Sequence, residues 1–227
     1  MTKLPTKHDR ATTRRSPLSR ERVLRAAVRL ADEGGLESVS MRKLGQVLQV
    51  EAMSLYKHVA SKDDILDGMA DLVTSEFEVP SADVDWKSAI RRSAISAHQV
   101  LLRHPWASGL IESRLNAGPA RLRFLEAVIG TLTAAVFTMP TVIRAVMALD
   151  SHTYGFVLQE LAWPFDAENA PEAAASFAQG LPASDYPNLL AVAEMVTTAP
   201  RGVPVDFEFG LDLILDGLER LRDSAGR

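Results

Sequence analysis

The segment Ser40–Val59, SMRKLGQVLQVEAMSLYKHV, decides the fold. Its first half places Met41, Leu44, Val47 and Leu48 inward at helical spacing, behind Ser40, whose hydroxyl suits an N-cap. A turn of three or four residues leads into a second short helix, predicted from Glu51 to about His58. On that helix Leu55 and Val59 face inward, leaving Ala52, Met53, Ser54, Tyr56, Lys57 and His58 outside. Two short amphipathic helices and a tight turn make a helix-turn-helix, and the second helix is too polar outside to be core. Small residues permit close approach to a major groove, Tyr and Ser hydroxyls bond phosphates, and Lys supplies charge. An ordinary helical hairpin with a solvated face gives the same pattern, so DNA binding stays open on the motif alone.

Working outward, Val23, Ala26, Ala27, Leu30 and Ala31 recur at helical spacing behind Ser19, and Gly34-Gly35 stops that run. Ser61 with Asp64 three residues on resembles a capping box in which Asp replaces the preferred Glu. The helix it opens carries Ile65, Leu66, Met69, Leu72 and Val73. After the connector Pro80–Asp85, helices are predicted at 85–104, 107–115, 118–138, 141–163, 187–198 and 205–223. They are separated at Pro105, Asn116 through Pro119, Pro140, Pro164 and Pro200–Pro204. The Ala/Pro/Gly/Ser-rich stretch 164–186 is expected to be a loop with at most one helical turn. No strand-like alternation and no internal repeat occurs, so the expected class is all-α. Residues 1–17 are expected to form a disordered basic arm, 18–62 a helix-turn-helix head, and 63–227 a helical body.

Charge divides the chain at the same place. Residues 1–62 hold 13 Lys+Arg against 6 Asp+Glu, a net of +7, and the other 165 hold 12 against 23, a net of −11. A basic head on an acidic body is the asymmetry expected when one end meets phosphate. Cysteine is absent, which excludes disulfides, zinc-thiolate sites and catalytic thiols and suits a reducing cytoplasm. The N-terminus has no apolar signal core. The longest uncharged stretch, Ala127 to Ile143, carries four threonines and Pro140, and reads as buried helices rather than a membrane span.

The stretch from Leu18 to Met69, including Leu55-Tyr56-Lys57-His58-Val59 and Lys62, resembles the DNA-binding region of the TetR family of repressors. The resemblance implies that Arg42 reads a base, a guanine suiting its guanidinium, that Ala52, Met53 and Ser54 border base edges, and that Tyr56, His58 and Lys62 anchor phosphates. Lys57 stands where relatives vary and supplies specificity or only charge; Lys43 reads as a solvated or phosphate-adjacent charge. Gln49 occupies a turn where many relatives place glycine; if that position needs a positive φ, Gln costs about 1 kcal/mol or more.

Trp86, DSHTYGFVLQE at 150–160 and DFEFGLDLILDGLERL at 206–221 resemble the body of the tetracycline-repressor branch, whose two corresponding helices pair with their symmetry mates in a four-helix bundle. The apolar face Phe207, Leu211, Ile214, Leu215 and Leu218, with Gly155, Gly210 and Gly217, is accordingly expected to form a homodimer for a palindromic double-stranded operator. A buried helix inside a monomer is the alternative for that face. A pocket for a small organic effector is expected between the body helices, lined by Ser93, Ala97, Leu101, Ile111, Leu125, His152 and Phe156, each of which also reads as plain core. In the tetracycline branch a drug-binding histidine stands where this chain has Glu78, at the end of the fourth helix, and a magnesium-ligating histidine where it has Ile111. The expected effector is therefore mainly apolar or aromatic and needs no metal or other cofactor. His98 and His104 lie six apart, off a common helix face, which speaks against a metal pair. No glycine-rich phosphate loop occurs and the histidines have no acid partner at useful spacing, so catalytic residues are not expected. A DNA-binding regulator without an effector, or an activator, remains the alternative function.

Overall fold

The computed structural model describes residues 17–114, 118–162, 169–198 and 206–225, and all regular structure among them is helical. The basic arm, apart from Pro17, and the breaks at Pro164 and Pro200–Pro204 lie outside the described residues.

The head begins with α1 (Arg20–Gly34), where the Ser19 hydroxyl accepts from the Arg22 N–H at 3.2 Å. Gly35, at φ 70°, ends the helix, and a short 3₁₀ turn (Leu36–Ser38) leads on. Next come α2 (Met41–Leu48), capped by the Ser40 hydroxyl, and α3 (Ala52–Leu55). The second helix of the motif is thus shorter than the predicted Glu51–His58. Beyond Leu55 the backbone tightens: the His58 N–H donates to the Leu55 carbonyl, three residues back, at 2.8 Å. Val47, expected inward, is exposed. A Cβ at Gly45 would stand 2.9 Å from the Val50 carbonyl, so the buried arc of α2 runs through Leu44, Gly45 and Leu48 and turns Val47 out.

In α4 (Lys62–Thr74) the Ser61 hydroxyl caps the Asp64 N–H at 3.1 Å. Asp64 reaches back one residue further than a capping box requires, accepting from the Ala60 N–H at 2.7 Å. It also takes both nitrogens of Arg20, at 2.7 and 2.6 Å, which pins α4 to α1. Those bonds, the Arg20 guanidinium first, hold the Asp64 carboxyl below the usual carboxylate range.

The body continues with α5 (Trp86–Arg103), α6 (Ala107–Ser113), α7 (Pro119–Ala134), α8 (Met139–Ala162), α9 (Ala170–Gln179), α10 (Pro187–Thr198) and α11 (Phe207–Ala225). Three boundaries differ from the sequence reading. Helix α7 stops at Ala134, because Val136 takes a left-handed φ of 68°. Pro140 sits inside the first turn of α8, where its missing N–H costs nothing, rather than between two helices. Residues 170–179, expected as loop, form a ten-residue helix: an Ala-rich run with Pro171 in its first turn has high helix propensity, and the surrounding Pro and Gly masked it. Helices α9 and α10 pack chiefly on each other as a hairpin.

One apolar cluster runs without interruption from Val23 through Leu55, Ile65, Met69 and Phe77 to Leu101, Ile111 and Val157, joining head to body. A second holds Trp86, Leu132, Phe137, Val142, Leu149, Phe207, Leu211, Leu215 and Leu218. The face of α11 expected to dimerise is therefore this chain's own core, with Ile214 half-buried against it. The helix has two further stripes. Glu208, Asp212, Asp216 and Glu219 face α5, pairing with Arg91 (2.6 and 2.7 Å) and Lys87 (2.6 and 2.7 Å). Phe209, Leu213 and Leu221 are exposed. Of the three glycines, Gly210 meets α8, since a Cβ there would lie 2.5 Å from His152 Cε1; Gly155 and Gly217 face open space.

Candidate nucleic-acid interface and internal cavity

On the head, Leu55 and Val59 are fully enclosed, while Met53 is 75% and Tyr56 48% exposed. Arg42, Lys57 and Lys62 are exposed, and Ala52, Ser54 and His58 are half-buried. The eight residues expected to meet DNA therefore belong to α2, to α3 and its tightened exit, and to the first residue of α4. Gln49 adopts φ 56° and ψ 46°, the left-handed conformation that its place in the turn suggested. Its N–H donates to Gln46 O at 3.2 Å and that of Val50 to Gly45 O at 2.9 Å, closing the end of α2.

The body grips α4 at both ends. Arg114 lies 3.1 Å from Asp63 and 3.2 Å from Asp67. Asp71 accepts from the Ala120 and Arg121 N–H groups at 2.7 and 3.1 Å, capping the start of α7. Just past α4, Phe77 packs edge-to-face on Phe124 with ring centroids 5.3 Å apart.

Those two rings wall a cavity of about 30 Å³ between α5, α7 and α8. Ile90, Ala94, Val128, Val146 and Leu149 add apolar wall, and Asp150, Thr153 and Tyr154 add polar groups. Burial, and to a smaller degree Glu112, push the Asp150 carboxyl up to about 6, while Arg121 opposes them. Burial likewise raises the Tyr154 phenol above its ordinary value.

A family model described as "Bacterial regulatory proteins, tetR family" matches residues 23–69, and one described as "Tetracyclin repressor-like, C-terminal domain" matches residues 79–222. The chain belongs to the tetR family. An HTH-type transcriptional regulator of Saccharopolyspora erythraea is 36% identical over 173 residues, covering 76% of this chain and 73% of its own. The tetracycline repressor protein class C of Escherichia coli is 31% identical over 208 residues, covering 90% and 92%. Streptomyces coelicolor ActR, solved in complex with (S)-DNPA, superposes with a TM-score of 0.76 at 26% identity, covering 90% of this chain and 98% of that one. This tetR-family chain is a DNA-binding transcriptional regulator.

Of the seven residues expected to line a pocket in the tetR-family body, Ser93, Ala97 and Leu125 border the cavity. Leu101 and Ile111 do not; both are fully buried in the cluster that joins head and body. His152 Nε2 donates to the Phe207 carbonyl, 2.9 Å away, and the imidazole stacks on the Phe207 ring; Phe156 packs against the same ring. These four lie outside the cavity because each is committed to packing between helices. Glu78 also differs from expectation. It lies beyond the end of α4 with its side chain exposed, while its neighbour Phe77 turns inward. Two histidines do have acid partners, remote in sequence: His98 Nε2 is 2.7 Å from Glu160, and His104 Nδ1 is 2.7 Å from Asp32. The residues that the sequence reading missed are Phe77 and Phe124 and the trio on α8. The signal for the trio was three polar residues at i, i+3 and i+4 inside an apolar helix.

Proposed function

We propose that this chain is a ligand-responsive repressor that binds a palindromic operator as a homodimer in the cytoplasm and is released by a small organic effector. The observation that carries this is the position of α4. Its first residue, Lys62, belongs to the exposed DNA-facing set, and three residues beyond its end Phe77 walls the cavity. A cavity of about 30 Å³ holds only a few water molecules, so an effector has to part α5, α7 and α8. Parting them displaces Phe77 and Phe124 and shifts α4, and with it the spacing of two recognition elements. The exposed stripe Phe209, Leu213 and Leu221 on α11 and the exposed Met139, Ile143, Met147 and Leu158 on α8, two helices packed on each other, support a twofold pairing of those helices. Gly155 and Gly217 permit their close approach.

The test is light scattering together with a salt series on a selected operator. A dimer whose operator affinity falls steeply with salt is expected. A monomer, or affinity unchanged between low and moderate salt, overturns the reading. The effector is proposed to differ from a magnesium–tetracycline complex, since Ile111, where the resemblance places a metal-ligating histidine, is an enclosed apolar side chain. Calorimetry with tetracycline should show no metal-dependent binding in the micromolar range.

A further inference from the structure

Asp150, Thr153 and Tyr154 stand on one face of α8 and open into the cavity. No side-chain hydrogen bond or ion pair joins any of the three to a described residue, and their polar atoms are not among the fully enclosed ones. The charged groups acting on Asp150 are Glu112 on α6 and Arg121 on α7. Arg121 is occupied elsewhere: its guanidinium donates to the Ile111 carbonyl at 2.7 Å and the Arg114 carbonyl at 3.3 Å, and lies 3.7 Å from Glu112. The cluster thus keeps one uncompensated negative charge. With its carboxyl pushed up only to about 6, Asp150 is mostly ionised at neutral pH. A carboxylate held among Phe77, Ile90, Phe124, Val128 and Leu149, with only partial solvent contact and no cationic partner among the described residues, is a cost to the folded chain that a cationic ligand would offset.

We propose that Asp150 is the anchor for a protonated amine, so that the effector is a compact aromatic amine rather than a neutral molecule or an acid. This rests on the reading of the cavity as the effector site. An ammonium group carries three donors, and the α8 face presents three acceptors: the carboxylate and the hydroxyls of Thr153 and Tyr154. The aromatic part of the ligand lies against Phe77 and Phe124, where offset or edge contacts are available.

Naphthylmethylamine, naphthylmethanol and naphthoic acid present one shape in three charge states. Each is titrated by calorimetry into the full chain and into its Asp150→Asn variant, with melting followed in parallel. At neutral pH the amine should bind about tenfold or more tighter than the alcohol, with the acid weakest. Asp150→Asn should abolish that preference, weaken the amine far more than the alcohol and melt no lower than the parent. The preference should also fade as pH is lowered through about 6, where Asp150 takes up a proton. An alcohol that binds the parent chain as tightly as the amine, or an amine preference that survives Asp150→Asn, overturns the amine assignment and leaves the cavity reading standing. If none of the three binds, the cavity reading falls with it. An Asp150→Asn chain that melts several degrees lower marks the carboxylate as structural and overturns the assignment.

Discussion

Arg42 and Tyr56 are both exposed on the head, yet their removal should differ in kind. Arg42→Ala is expected to cost about 1–3 kcal/mol of operator affinity and to relax preference at one position of each half-site, because a guanidinium reads a base edge. Tyr56→Phe, losing one hydroxyl to phosphate, should weaken all sequences alike; binding to a randomised operator library separates the two. Gln49 holds φ 56°, a conformation that disfavours any residue with a Cβ. Gln49→Gly should therefore raise stability by about 1 kcal/mol, a rise of roughly 2–4 °C in melting temperature for a chain of this size. For Asp150 the sign runs the other way from a salt-bridged acid. Its folded carboxyl titrates near 6 against an ordinary 3.8, so the folded chain binds the extra proton and stability falls as pH rises between those values. Asp150→Asn should be the more stable chain at neutral pH by about 1–2 kcal/mol, allowing for partial solvent contact, and its advantage should vanish below about pH 4. Melting curves across that range check it.

At the scale of elements, α4 is the part shared by head and body. Among the described residues its hydrogen bonds to α7 come from one side chain, Asp71, on the N–H groups of Ala120 and Arg121. Asp71→Ala should cost about 1 kcal/mol, as for other lost helix caps, while operator affinity without effector stays near that of the parent. The concentration of effector needed for release should change, because the body then moves against α4 with one contact fewer. Fluorescence anisotropy of labelled operator with and without effector reads both quantities. Most helices were legible from the sequence because their apolar spacing and caps agree: Ser19, Ser40 and Ser61 each cap the helix they precede. Helix α9 was not, since its local Ala propensity competed with flanking Pro and Gly. The exit of α3 was not, since nothing in Tyr56–His58 distinguishes an α turn from a tighter one.

For the molecule as a whole, the stripe Phe209, Leu213 and Leu221 presents apolar surface on the outside of α11. Leu213 is 56% exposed in the single chain, so Leu213→Arg should leave the fold intact and its melting largely unchanged at low concentration. In solution the variant should be a monomer by light scattering. Operator affinity should drop by about a hundredfold or more, because two half-sites no longer bind as one linked event. A Leu213→Arg chain that remains dimeric would place the pairing surface elsewhere.

The sequence alone determined the all-helical class, the helix-turn-helix and its outward set, and the division into a basic head and an acidic body. These are local properties: periodicity, capping residues and charge are all carried by neighbours in the chain. Which face of α11 is core was decided only by tertiary packing, because Phe207–Leu218 and Phe209–Leu221 are both apolar stripes at helical spacing. The cavity is of the same kind. Phe77, Phe124 and Asp150 come from three helical regions far apart in the chain, and no spacing within one segment foretells that they meet. The carboxylate partners of His98 and His104, 62 and 72 residues away, were hidden for the same reason. Long-range pairing depends on how helices cross, and crossing is set by the packing of whole surfaces rather than by any single stretch.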